Sequence, residues 1–240
     1  MDDLLELVFE IAMEIIGELI DSERMPKWVR CCLAGILLLP LVGLLVYWSL
    51  QASGWLLIMF LILLAISLVA LFAYLVYKVY RSGTLRKAKQ EELPAILKMY
   101  RSVLGKPGCN WTVTYPNEVT LYDDFNTGNL YVLCKGKIII GAGSIVPKNE
   151  LDDWNGWYYR EHVREIARIV ITPAYQGKGY GKQLVAKLCR QLDNMGCQAV
   201  HLLVSSENRT AQTMYQKNGF RSKGQCSRYD HTYYAYERKL

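Results

Sequence analysis

Two long uncharged segments near the N-terminus constrain the fold of this chain more than any other feature. Residues 31–50 and residues 55–77 contain no Asp, Glu, Lys or Arg, and residues 51–54 alone separate them. An α-helix rises ~1.5 Å per residue, so each segment is long enough to cross a hydrocarbon core about 30 Å thick. A buried hairpin in a large soluble core is the alternative, but two such runs this close together favour a membrane hairpin.

Charge predicts the orientation of this hairpin. Positive side chains flank both segments and are absent from the connecting loop; they are Arg24, Lys27, Arg30, Lys78, Arg81, Arg86, Lys87 and Lys89. Because cytoplasmic loops carry the excess of Lys and Arg, both termini are predicted to be cytoplasmic in an integral protein of the cell membrane. We therefore expect three regions: residues 1–25, a hairpin over 29–80, and a domain over 82–240.

The first region is strongly acidic. Residues 1–25 hold eight acids and one base, which leaves a formal charge of +13 on the rest of the chain. Residues 2–22 predict an amphipathic helix, with acids every four residues on one face. That face is either solvated or docks on a partner protein or on the chain's own basic domain. The basic remainder suits a phosphorylated cofactor or anionic lipid, and no basic run with interleaved aromatics indicates nucleic acid.

Short strands and helices alternate after the second segment. The pattern predicts strands at 84–89, 130–134, 138–146, 165–172, 199–205, 220–229 and 232–238, with helices at 91–103, 119–127, 180–195 and 208–217. This order predicts an α/β (α+β) domain with a mixed sheet.

The densest chemical signal is the glycine-rich turn at residues 169–181, IVITPAYQGKGYG. A strand stops at Pro173, and three closely spaced glycines precede a helix. Unpaired backbone N–H groups and the positive end of the helix then converge on one point, which suits a pyrophosphate. A dinucleotide-binding fold also uses such a turn, but its third glycine comes later than it does here.

The sequence resembles the GNAT family of N-acetyltransferases. QGKGYG at 176–181 matches the family's Q/R-x-x-G-x-G/A signature, and IVITP at 169–173 matches the strand before it. A second block at 208–220, N-x-x-A-x-x-x-Y-x-x-x-G-F, matches the family's downstream helix. The resemblance covers about residues 84–240 and implies a GNAT-like, mostly antiparallel mixed sheet flanked by helices.

The resemblance also implies an activity and its residues. The activity is transfer of acetyl from acetyl-CoA to a primary amine by direct attack, without a metal. Tyr215 matches the residue that protonates the leaving thiolate, and Glu165 stands at the family's spacing for a general base. The cofactor-binding positions implied are Ile169, Ile171, Gln176, Gly177, Lys178, Gly179, Tyr180, Gly181 and Asn208.

Several of these residues, and the chain as a whole, also have alternative roles. Glu165 is otherwise a strand-edge acid paired with Arg164 or Arg168, and Tyr215 is otherwise a core aromatic. His162 and His231 are alternative bases, whereas His201 lies in a strand and is expected to be a satisfied core residue. The acid–aromatic stretch at 152–159 suits a cationic amine, or is a solvated loop. A silent CoA-binding regulatory or scaffold module remains the alternative function.

Overall fold

The computed structural model describes residue 15 and residues 25–51, 54–147 and 154–240. The chain divides into two compact units, Met1–Ser82 and Gly83–Leu240. Apart from Ile15, the acidic helix expected over residues 2–22 lies outside the described residues.

The first unit contains two long apolar helices, α1 (Lys27–Gln51) and α2 (Trp55–Arg81). Nζ of Lys27 donates a hydrogen bond to the carbonyl of Ser82 at 2.7 Å, so the start of α1 lies beside the end of α2 in a hairpin. The stretches Lys27–Trp48 and Leu57–Arg81 have mean hydropathies of 2.4 and 2.8. Only 25% and 6% of their most apolar windows are buried, so most of this apolar surface faces outward.

The second unit is built on a seven-stranded sheet in the order β1-β2-β3-β4-β5-β7-β6. All neighbouring strands are antiparallel except β4 and β5, which are parallel. This confirms the expected mixed, mostly antiparallel sheet flanked by helices. The strands are β1 (Thr84–Lys87), β2 (Leu130–Lys135), β3 (Ile138–Val146), β4 (Val163–Ile171), β5 (Ala199–Ser205), β6 (Arg221–Arg228) and β7 (His231–Lys239), and the helices are α3 (Leu93–Arg101), α4 (Glu118–Asn126), α5 (Tyr180–Asn194) and α6 (Arg209–Gln216).

Each face of the sheet has its own apolar core. Helices α5 and α6 pack on one face, where Leu184, Leu188 and Tyr215 meet Leu202 of β5. Helices α3 and α4 pack on the other face over β2, β3 and the end of β4. A segment rich in aromatic residues, 154–159, covers the β5 and β7 part of that second face through Trp157. We refer to it below as the aromatic segment.

An irregularity in β4 opens the centre of the sheet. The register between β3 and β4 shifts between Ala142 and Ser144, and Arg168 opposite the shift has a left-handed backbone (φ 53°). This is a β-bulge, which bends its strand and increases its twist. Strands β4 and β5 pair only from Val163 to Glu165. Among the described residues the ladder stops there, so beyond Glu165 the two parallel strands form a V-shaped opening.

Candidate active site

A backbone cradle lies at the open end of the V. After β4 ends at Ile171, a short 3-10 turn leads to Gly177 (φ 71°) and Gly179 (φ 83°), and α5 starts at Tyr180. Positive φ is costly for residues with a Cβ, so the glycines are needed to reverse the chain here. The first N–H groups of α5 have no acceptor within the helix and carry its positive end. The cradle is therefore ready to bind an anion.

Local contacts hold the cradle in place and leave its front open. Nε2 of Gln176 donates to the carbonyl of Ile171 at 2.8 Å, which ties the loop to the end of β4. Nζ of Lys178 donates to the carbonyl of Ala174 at 2.9 Å. A Cβ built on Gly177 or Gly179 meets no atom within 4 Å. The space before the glycines is thus available to a ligand, although Lys178 is turned back on the loop.

The backbone of β4 directs hydrogen-bonding groups into the V. The N–H of Thr172 donates to the carbonyl of Ile140 at 2.9 Å, so residue 172 points toward β3. Because consecutive residues of a strand alternate in direction, the polar groups of Ile171 and Ile169 point the other way, into the opening. Their side chains pack on the α5/α6 face. An extended ligand lying in the V therefore meets strand backbone that β5 does not pair, although the carbonyl of Ile171 already accepts from Gln176.

Tyr215 lies buried on α6, on the α5/α6 face. Its ring makes an edge-on contact with Phe220, with 5.8 Å between centroids. Burial raises the pKa of Tyr215 well above its ordinary value, with further contributions from Cys189 and the charge of Glu165. The phenol consequently stays protonated across neutral pH.

Glu165 lies half-buried at the apex of the V. It is the last residue of β4 that pairs with β5, where its register neighbour is His201. Its neighbour Ile166 belongs to the core under α5, so Glu165 faces the opposite side, toward the α3/α4 face. The charge of Glu165 also contributes to the raised pKa of Tyr215, which lies on the other face of the sheet.

The splayed strands β4 and β5, with the glycine cradle at their open end, are consistent with the family that the sequence matches. The model described as the acetyltransferase (GNAT) family matches residues 96–220, just over half of the chain. The chain belongs to the GNAT acetyltransferase family. Its sheet, helices and glycine-rich loop are those of a GNAT acetyltransferase domain.

Curated relatives of this GNAT chain match over short stretches. The ribosomal protein bS18-alanine N-acetyltransferase of Haemophilus influenzae is 46% identical over 52 residues, which are 22% of this chain and 35% of that protein. The mycothiol acetyltransferase of Paenarthrobacter aurescens is 38% identical over 58 residues, 24% of this chain and 18% of that protein. The chain spans less than half the length of these relatives.

Solved structures share the fold over most of the second unit. A GNAT acetyltransferase of Streptococcus agalactiae has a TM-score of 0.57 and 20% identity, covering 66% of this chain and 95% of that chain. An acetyltransferase of Salmonella typhimurium, solved with its cofactor acetyl-CoA, has a TM-score of 0.52 and 18% identity, covering 66% and 94%. At this level of identity the likeness establishes the fold.

The structure gives Asn208 a local role. Its Oδ1 accepts a hydrogen bond from the N–H of Ala211 at 3.0 Å and so caps the start of α6. Gly108 (φ 76°) approaches so closely that a Cβ there would lie 2.7 Å from the Cα of Asn208. Asn208 therefore fixes the junction of β5, α6 and the loop before α4, and its cofactor contact stays a prediction.

Arg168 does not pair with Glu165, the partner considered from the sequence. It makes a two-pronged ion pair with Asp124 of α4, with Nε to Oδ2 at 2.7 Å and Nη2 to Oδ1 at 2.6 Å. Oγ of Ser144 donates to the same carboxylate at 2.5 Å. This pair anchors the bulge of β4 to α4, and sequence spacing gave no signal for it because the partners lie 44 residues apart.

The three histidines occupy different environments. His201 is buried in β5, as expected, whereas His162 and His231 are exposed at the start of β4 and of β7. Nε2 of His201 lies 3.1 Å from Oε1 of Glu237, a buried acid that the sequence reasoning did not single out. The acids of the stretch 152–159 lie outside the described residues.

Proposed function

We propose that the chain transfers acetyl from acetyl-CoA to a primary amine by direct attack, and that the two apolar helices anchor it in a membrane. The observation that carries this proposal is the V between β4 and β5, which ends at a glycine cradle and is flanked by Glu165 and Tyr215. Such an opening accepts an extended arm with a phosphate-bearing end, as acetyl-CoA has.

The residues of the V fit this cofactor. Backbone groups of Ile169 and Ile171 would bind the amides of its extended arm, and the N–H groups over 176–181 would bind its pyrophosphate. The bound cofactor supplies the acetyl thioester. Glu165 would remove a proton from the acceptor ammonium, since only the neutral amine attacks a carbonyl. Tyr215 would give its proton to the departing sulfur.

The aromatic segment supports a cationic acceptor. It lies on the same face as Glu165, where Trp157 is buried and Tyr158 is exposed. A carboxylate beside aromatic rings favours a cation through charge and cation–π attraction. One relative is named for an alanine of ribosomal protein bS18, so an alanyl amine and small aliphatic amines are the first candidates.

The proposed domains follow the sequence boundaries: an acidic helix over 1–25, membrane helices over 31–50 and 55–77 within 29–80, and the acetyltransferase domain over 82–240. The largely exposed apolar surface of α1 and α2 supports membrane insertion, because water would be in contact with it otherwise. The basic flanks favour a cytoplasmic active site, where acetyl-CoA is made available. The acidic helix would then be offered to a protein partner.

A CoA-binding regulatory or scaffold module is the second candidate. Such a module would bind CoA in the cradle and would not transfer an acetyl group. The buried, protonated Tyr215 and the carboxylate of Glu165 favour an enzyme over this alternative, because binding alone requires neither group.

Acetyl-CoA binding to the full chain in detergent tests the cofactor assignment. Gly179→Trp places a ring in the cradle and should abolish binding. Gly136→Trp is the matched control, because Gly136 also has positive φ (61°) and open space around it but lies in the β2–β3 turn. Equal loss in both variants would indicate misfolding. Unchanged binding in Gly179→Trp would refute the proposed site.

Turnover decides between the two candidate functions. The chain should acetylate at least one member of a panel containing an N-terminal alanyl peptide, a polyamine and an aliphatic monoamine. Binding without turnover on a wider amine panel would favour the regulatory module.

A further inference from the structure

Three ionisable side chains form a row across the centre of the sheet. Glu165 of β4 is the register neighbour of His201 of β5, and His201 is the register neighbour of Glu237 of β7. Register neighbours present their side chains on the same face of a sheet. His201 and Glu237 are only 4% and 6% exposed. A buried histidine thus lies between two carboxylates, on the face opposite Tyr215.

Glu237 is surrounded by hydrogen-bond donors. Its Oε1 accepts from the backbone N–H groups of Tyr158 and Tyr159, each at 3.0 Å, and lies 3.1 Å from Nε2 of His201. Its Oε2 lies 3.3 Å from Nζ of Lys223. Oε1 already accepts from two backbone N–H groups, so in its contact with His201 it is again the acceptor and the ring nitrogen is the donor. Nε2 of His201 therefore carries a hydrogen, and Nδ1 is the basic nitrogen of the neutral ring.

The ring of His201 is also fixed in orientation. Trp157 stacks on it with 3.8 Å between ring centroids and 7° between planes. Among the residues that the structure describes, the charged groups near the histidine include Glu165 on β4, Glu237 on β7, and Lys223 with the exposed Arg221 on β6. Tautomer and ring plane are both set, which is the arrangement by which a carboxylate prepares a histidine as a base.

The proposed reaction requires more than one proton acceptor. The nitrogen of an ammonium loses two protons on its way to an amide, and one of them is matched by the proton that the CoA sulfur gains. Without a partner, Glu165 can hold only one of these protons until the product leaves. A second group beside Glu165 allows the carboxylate to accept again within the same turnover.

We propose that His201, held by Glu237, is the proton-holding partner of Glu165. The ammonium gives its first proton to Glu165, which passes it to Nδ1 of His201 and recovers its negative charge. Glu165 then takes the second proton after attack, and Tyr215 protonates the leaving sulfur and becomes a tyrosinate. After the products leave, one of the two protons held on Glu165 and His201 returns to Tyr215 and the other goes to solvent, so all three groups are restored. His201 and Glu237 act through Glu165, so they are positioning residues. The proposal rests on the proposed acetyltransferase function.

Nitrogen NMR of the full chain in detergent tests the dyad without any acceptor. The chain has three histidines, so ¹⁵N-histidine labelling gives few signals. His201 should show the Nε2–H tautomer near neutral pH. Glu165→Gln should lower the pH midpoint of His201 titration by about one unit, because a neighbouring negative charge is lost. Glu161→Gln, an exposed acid just before β4, is the matched control and should leave the midpoint unchanged.

Two NMR outcomes would overturn the proposal. One is an Nδ1–H tautomer, which would remove the basic nitrogen. The other is a His201 midpoint that Glu165→Gln does not move, which would show that the two groups do not exchange protons.

Kinetics of His201→Gln give the second test, using the panel amine with the fastest turnover. We expect a roughly 100-fold lower transfer rate near neutral pH, where the amine is still an ammonium, with unchanged acetyl-CoA binding. The deficit should shrink as the pH approaches the pKa of the amine, since a neutral amine has one proton fewer to lose. A deficit that stays constant with pH would indicate a purely structural role and refute the relay. If the unmodified chain acetylates no amine, the proposed function fails, while the NMR result still decides on the dyad.

Discussion

The ion pair between Asp124 and Arg168 should make a large contribution to stability, because it is almost fully buried. The two side chains are 10% and 11% exposed. Removing one partner of a buried pair costs about 3–5 kcal/mol, since the other charge is left without compensation. Asp124→Ala also removes the acceptor of the Ser144 hydroxyl, worth about 1 kcal/mol. We expect a total loss of about 4–6 kcal/mol in the free energy of unfolding.

Urea unfolding of the full chain in a mild detergent, followed by near-ultraviolet circular dichroism, measures this loss. The cycle comprises Asp124→Ala, Arg168→Ala and the double variant. The double variant should lose at least about 2 kcal/mol less stability than the two single losses added together, because neither charge is then left without a partner. This coupling energy lies in roughly the upper range of measured values. Asp123→Ala, the exposed neighbour on α4, is the control and should change stability by less than about 0.5 kcal/mol.

Two results would refute this reasoning. A loss below about 1 kcal/mol in Asp124→Ala would mean that water replaces the carboxylate and that the pair is effectively solvated. Strict additivity in the double variant would mean that the two side chains contribute separately. In contrast, a non-additive loss of stability together with weaker acetyl-CoA binding would indicate that the ion pair maintains the β4 bulge that opens the V.

Three further predictions concern catalysis, pH and topology. Tyr215→Phe should lower the transfer rate about 100-fold while acetyl-CoA affinity is retained, measured by thiol release and by calorimetry. The hydrogen bond from Arg86 lowers the pKa of Glu92, so this pair stabilises the fold above the ordinary glutamate pKa, and the stabilisation is lost as the pH falls below about 4. Glu92→Gln should therefore reduce the difference in stability between neutral and acidic pH, measured by urea unfolding. A protease site inserted after Gln51 should be cleaved from the outside of intact cells, and one at Leu240 only after lysis; the reverse pattern would overturn the predicted orientation.

Local patterns were enough to predict most of the fold. Strands β3 and β5 have the bounds expected from alternation and apolar content, and α5 starts at Tyr180, where the glycines end. Residues close in sequence determine these elements. A glycine with positive φ marks the start or the end of a helix or strand, and the spacing of apolar residues distinguishes a helix from a strand. The helix expected over 91–103 is shorter, because it begins with a 3-10 turn at Gln90–Glu92 and ends at Arg101.

The features that sequence reasoning missed depend on contacts between distant residues. The left-handed backbone of Arg168 is unusual for a residue with a long side chain, and Asp124, on another element, holds that side chain. Glu237 stands in a strand with three tyrosines, and its burial becomes evident only when β5 and β7 are paired. A buried acid needs donors around it, and these come from the aromatic segment, whose path the pattern did not predict.

Within the described part of the chain, β4 and β5 pair through three residues of each strand. The sheet is therefore mechanically two sheets, β1–β4 and β5–β7–β6, joined at a short seam. A molecule that bonds to both walls of the V would act as a surrogate strand and complete the fold. At 100 times its dissociation constant such a ligand adds about 2.7 kcal/mol to stability. With acetyl-CoA as the proposed ligand, the lifetime of the protein in the cell should follow the supply of this cofactor.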